Sequence, residues 1–151
     1  MATLLEKIGA PEKRKAVISD CVLLIDDEVK KKGGFSGAAV KLAFAAVKAV
    51  KPGFIAEAVD HLLDDFATRM EPFYAGHVEA QGRGDARSLP SHFGEQAGPI
   101  AEALLGITDE RAKRAQNAMV KKSYEKLRPS AKKHVEEAVP GIASLVEKHT
   151  A

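Results

Sequence analysis

The chain has no tryptophan, a single cysteine and only 5% aromatic residues. Each scarcity removes a class of structure. One thiol, Cys21, excludes an internal disulfide, so nothing ties the chain to an oxidising compartment and a cytoplasmic setting is expected. Few aromatics beside many alanines and leucines argue against a sheet and for helices packed through small side chains. Charge of one sign is missing too. The 23 Lys and Arg against 21 Asp and Glu leave a net +2, too little to require nucleic acid or a membrane surface as partner. No apolar run reaches membrane-spanning length. The N-terminal MATLLEKIGAPEKRK has too short an apolar stretch for a secretion signal, with its charges after that stretch rather than before it.

What is present suits an ordinary globular protein. The 151 residues have the length of one domain, with 45% hydrophobic and 29% charged side chains. The expected fold is an all-α, single-domain bundle of six or seven helices. Thr3 and Glu6 can form a capping box for a short first helix that stops at Gly9. Pro11 then opens a helix to about Lys32, with Val17, Ile18, Cys21, Val22, Ile25 and Val29 on one face.

The next stretch, KKGGFSGAAVK (31–41), invites a phosphate-loop or nucleophile reading. It has no Gly-Lys-Ser/Thr ending and no Gly-x-Ser-x-Gly, so neither motif is met. Helix punctuation accounts for it instead. Lys30, Lys31 and Lys32 oppose the dipole, Gly33 and Gly34 suit a left-handed C-cap, and Ser36 suits an N-cap.

Residues 37–51 carry Lys41, Lys48 and Lys51 and are otherwise apolar, which predicts a buried central helix. Pro52-Gly53 ends it. A helix over 54–70 follows, with Ile55, Val59, Leu62, Phe66 and Met70 inward; Glu71-Pro72 interrupts it as a bend, with a short continuation toward Ala80. After the loop QGRGDARSLP (81–90), 91–106 reads as a helix restarting at Gly98-Pro99. Thr108 N-caps a helix to Arg128, and Pro129-Ser130 starts the last one. AAVKLAFAAVK (38–48) can be laid on AMVKKSYEKLR (118–128), with EAV at 57–59 matching EAV at 137–139. Two pseudo-repeated helical hairpins are therefore predicted, 36–63 superposing on 116–143 with Phe44 over Tyr124.

KGGFSGAAVK, EPF, TDERA and VKKSYEKLRPSAKKHVEEAVP together resemble an uncharacterised family of small, all-helical bacterial proteins. The resemblance spans most of the chain. It implies a bacterial, single-domain protein and supplies no activity, cofactor or catalytic residue.

Candidate chemistry is sparse. Glu57, His61 and Asp65 have i, i+4 spacing for a metal ion, but they lie opposite the apolar stripe, so a solvated acidic face is expected and no metal or other cofactor. His92 and Glu95 reverse a ligand motif that has no second copy. His77 and His149 read as loop and tail residues. Arg111, Arg114, Lys121, Lys122 and Arg128 share a face that could meet anions, but Tyr124 is the one aromatic there and nucleic acid is not expected. That basic face could equally complement the acidic 57–71 segment of a partner subunit. The RGD at 83–85 matches an adhesion tripeptide by letter only. No catalytic set can be assembled, and the reading leans away from an enzyme. The leading functional expectation is a non-catalytic interaction or scaffold module, binding an unknown protein or itself through charged faces or the Glu71–Tyr74 edge. The alternatives are a carrier of a small apolar ligand lined by Phe44, Phe66, Phe73 and Tyr124, or an anion binder using the basic 111–133 face.

Overall fold

Local capping sets the first turn of the chain. In this computed structural model, which describes residues 3–31, 33–114, 116 and 118–150, the Thr3 side chain accepts the Glu6 N–H at 3.1 Å and starts α1 (Leu4–Ile8). Gly9 ends it, and a Cβ there would lie 2.8 Å from the Leu5 carbonyl, so the tight exit needs glycine. Pro11 then opens α2 (Pro11–Lys31), as its fixed φ and missing N–H favour.

The described residues form seven helices and no strand. α3 (Gly34–Val50), α4 (Phe54–Gly82), α5 (Leu89–Glu95), α6 (Ala97–Arg114) and α7 (Ala118–Thr150) complete the order. Lys32 lies outside the described residues. α3 already begins at Gly34, so Ser36 sits in its first turn and is not the N-cap expected from sequence.

The all-α bundle is as expected, but its centre is elsewhere. α4 is the buried rod: Val59, Leu63, Ala67, Met70, Tyr74 and His77 recur at three- and four-residue steps and are all buried. α1, α2, α3, α5 and α6 all pack against it. α7 is the second long rod, and Val139, Ala143 and Val146 join Leu4, Ile8, Val17, Leu89, Phe93, Ile100 and Leu104 in the same core. The expected central helix at 37–51 is instead peripheral. Ala38, Ala39, Lys41, Leu42, Ala45, Ala46, Lys48 and Ala49 are exposed, Leu42 to 73%. An alanine-rich helix scores as apolar on all sides, yet each methyl contributes little area, so burial of α3 is not strongly driven.

Proline positions explain other departures. Pro72 lies inside α4, and both it and Thr68, whose carbonyl loses its helical partner, are exposed to water, so the helix runs on to Gly82. Pro129 and Pro140 are likewise exposed and absorbed into the 33 residues of α7. The helix expected to start at Pro129 therefore starts at Ala118. Thr108 lies inside α6, its hydroxyl donating back to the Leu105 carbonyl at 2.9 Å rather than capping a new helix.

The duplication fails on the same ground. Gly53, at φ +87°, turns the chain between α3 and α4, whereas the matching Pro129-Ser130 has no glycine and α7 passes straight through. One segment is a hairpin and the other a continuous helix, so 36–63 and 116–143 do not superpose.

Candidate functional site

The sequence-derived metal candidates do not converge. Asp65 pairs with Arg111 at 3.7 Å, Glu57 with Lys51 at 2.9 Å, and His61 is exposed. Their acidic neighbours are held by α2, where Arg14 donates to Asp60 at 2.8 Å and to Asp64 at 2.7 Å. Those two hydrogen bonds, Asp64 first, raise the guanidinium's pKa. Among the described residues no group of three or more His, Cys, Asp or Glu side chains is arranged to hold a metal ion.

Two of the five basic candidates, Arg111 and Arg128, are paired with carboxylates within the chain. Besides Arg111–Asp65, Arg69 Nη2 donates to Glu110 Oε1 at 2.7 Å. Asp65, Thr68, Arg69, Ile107, Glu110 and Arg114 line a shallow cleft of about 220 Å³ between α4 and α6. One contact between the basic face and the 57–71 segment, Arg111–Asp65, is thus made inside one molecule, and in Arg69–Glu110 the charges run the other way. Arg128 is more deeply committed: Nε meets Asp109 Oδ1 at 2.9 Å, and Nη2 meets Asp109 Oδ2 at 2.9 Å and Glu102 Oε2 at 3.0 Å. Tyr124 donates to the same Asp109, and the Thr108 hydroxyl, 2.7 Å away, shares its single proton between the Tyr124 oxygen and the Leu105 carbonyl. Hydrogen bonding from Arg128 first, and Tyr124 after it, holds the Asp109 carboxyl below its ordinary range. This network rivets α6 to α7. Lys121 and Lys122 remain exposed on α7.

The aromatic set is not brought together either. Phe66 and Phe73 pack on the core from α4, Phe44 is half-buried on α3, and the Tyr124 hydroxyl is in the Arg128 network. The Glu71–Tyr74 edge is covered by α1: the Leu4 N–H donates to Glu71 Oε2 at 2.6 Å and Lys7 Nζ to the Tyr74 hydroxyl at 2.9 Å.

Two histidines that the sequence reading put in a loop and in a reversed ligand motif, His77 and His92, are buried. His77 is not in a loop; it extends the buried stripe of α4, three residues beyond Tyr74. Its Nδ1 is hydrogen-bonded to Nδ1 of His92 on α5, and His92 Nε2 lies 3.1 Å from Asp85 Oδ2. Asp85, the last residue of the RGD triplet, is thereby turned inward, and Arg87 holds it further, its backbone N–H donating at 2.9 Å. His149 is no loose tail residue: its Nε2 meets Asp20 Oδ2 at 2.7 Å and ties the end of α7 to α2. The signal for His77 was its register, i+7 from Met70, which the interruption expected at Pro72 concealed.

The remaining feature is the outer side of α3. Taking 100° per residue, Leu42, Ala49, Ala38, Ala46, Ala39 and Ala45 fall within about 60° of one line, and all are exposed. An ordinary solvent face carries charge, and this arc has none, with Lys41 and Lys48 at its margin. Lys48 donates to Asp26 of α2 at 2.6 Å. Leu23 on α2 and Phe54 just past α3 are also exposed, to 60% and 43%.

Among known protein families, residues 4–150 match the model of a family of unknown function, DUF6918. No curated protein and no solved structure matches the chain. No helix among the described residues is long and apolar enough to cross a membrane.

Proposed function

The chain belongs to DUF6918, a family of unknown function, and from that premise we propose a non-catalytic interaction module that docks a second copy of itself through the outer face of α3. The observation that carries this reading is the uncharged, exposed arc centred on Leu42. A leucine in a field of alanine methyls offers a smooth ridge onto which a like helix can pack closely, so the face is self-complementary. Its size sets the strength. A 17-residue helix is about 25 Å long, so the stripe alone falls short of the roughly 800 Å² per partner of a standard interface. The dimer is therefore expected to be dissociable, with a dissociation constant on the order of 10 μM.

The carrier reading draws less support, because Phe66 and Phe73 already serve the core and Tyr124 serves a polar network. Anion binding draws less again, because Arg111 and Arg128 have carboxylate partners. A reducing, cytoplasmic setting belongs to the same proposal and is supported by the single cysteine. Sedimentation velocity tests the reading. The mass of the wild type is expected to rise from 16.1 kDa toward twice that as concentration increases, and Leu42→Glu to stay monomeric. A wild type that remains monomeric up to about ten times the expected dissociation constant refutes it.

A further inference from the structure

Two imidazoles screened from solvent face one another where α5 meets α4. His77 projects from α4 and His92 from α5, with their Nδ1 atoms hydrogen-bonded and the rings edge to face at 70°, centroids 4.6 Å apart. The partners assign the protons. His92 Nε2–H donates to Asp85, which leaves the His92 Nδ1 lone pair to accept Nδ1–H of His77.

We propose that this pair is a proton-operated clasp, which holds α5 on α4 while the two rings share at most one extra proton and releases α5 when both are charged. One added proton is accommodated without breaking a contact. His92 becomes an imidazolium paired with Asp85 and donates from Nδ1 to His77, whose own proton moves to Nε2. A second added proton has no such place. Both Nδ1 atoms would carry hydrogen, and two like charges would face each other across a buried contact.

The other charges facing the pair are Asp85 from the α4–α5 connection, itself held by Arg87, and Glu147 from α7. Both carboxylates favour charge on His77, but burial first, and the His92 charge second, hold its pKa below the ordinary value. The sign follows: a histidine lowered in the folded state contributes stability that is complete above the ordinary value of about 6.5 and is lost as pH falls through the lowered one. α5 also carries Leu89 and Phe93, both in the core, and packs on α7, where Glu147 Oε2 accepts the Leu89 N–H at 3.4 Å. Releasing α5 would therefore uncover apolar surface on command of pH, independently of the α3 face.

Amide hydrogen exchange of the full chain reads the clasp directly. Between about pH 7.5 and about pH 5, after correction for intrinsic exchange, amides of 89–95 are expected to lose protection at least tenfold while those of 63–74 keep theirs. The imidazole resonances of His77 should titrate below the ordinary value, with the midpoint of α5 opening. His77→Phe, which removes the second proton site, should hold α5 closed at the lower pH; if that variant does not fold, the wild-type titration decides alone. Unchanged α5 protection, or an ordinary titration of His77, overturns the proposal. So does equimolar zinc chloride shifting both histidines together, which would make the pair a metal site.

Discussion

Replacing Leu42 by alanine separates a peripheral α3 from a central one. Fully burying a leucine is worth roughly 1.5–3 kcal/mol, and with 73% of Leu42 left exposed about a quarter of that is at stake, under about 1 kcal/mol. Alanine is also the better helix former by a few tenths of a kcal/mol, so the net loss in the monomer should be close to zero. Leu63 is the internal reference. It is 3% exposed on the inner stripe of α4, and truncation there leaves a cavity costing about 2–5 kcal/mol. Urea unfolding at about 1 μM protein, below the expected dimer range, gives both numbers on the same scale. A loss of about 2 kcal/mol or more in Leu42→Ala at that concentration would return α3 to the core and remove the basis for a docking face.

Phe93 is fully buried, so Phe93→Ala should cost about 3–5 kcal/mol by urea titration, a large share of a typical stability of about 5–15 kcal/mol. Cys21, whose thiol is pushed up to about 11 by burial and then by Asp20, should react with a disulfide reagent at about pH 8 far more slowly than in the urea-unfolded chain. Equal rates would show the thiol exposed. The lowered Asp109 carboxyl makes a contribution that is present above its ordinary range and lost as pH falls below it. Arg128→Ala should therefore destabilise the fold near neutral pH and flatten its acid dependence, both readable from thermal unfolding against pH; an unchanged acid limb would remove the network from the account.

How much of this was legible in the sequence depends on what sets each feature. The α1 cap at Thr3, the stop at Gly9 and the start at Pro11 are local, and each appears where its residue predicts. The all-α class follows from composition and periodicity. The identity of the central helix does not, because it turns on area: α4 presents Leu63, Met70 and Tyr74 in register, whereas α3 presents alanines that hydrophobicity counts as apolar and packing can leave outside. Prolines misled where their missing hydrogen bond could be supplied by water, as at Pro72 and Pro129. The His77–His92 contact joins two helices through tertiary packing, so no spacing rule reaches it. The charged faces show the same limit. Arg111 and Asp65 each looked unpartnered in sequence and meet across α4 and α6.

The proposal that the outward face of α3 docks a second copy is tested most directly by a cysteine placed on it. Ala46→Cys, beside Leu42 on the exposed arc, should label rapidly in dilute protein and, at tens of micromolar with a mild oxidant, form a disulfide dimer well over tenfold faster than Ser144→Cys at an exposed position of α7. A cysteine at 46 that resists labelling, or that cross-links no faster than the one at 144, contradicts the account.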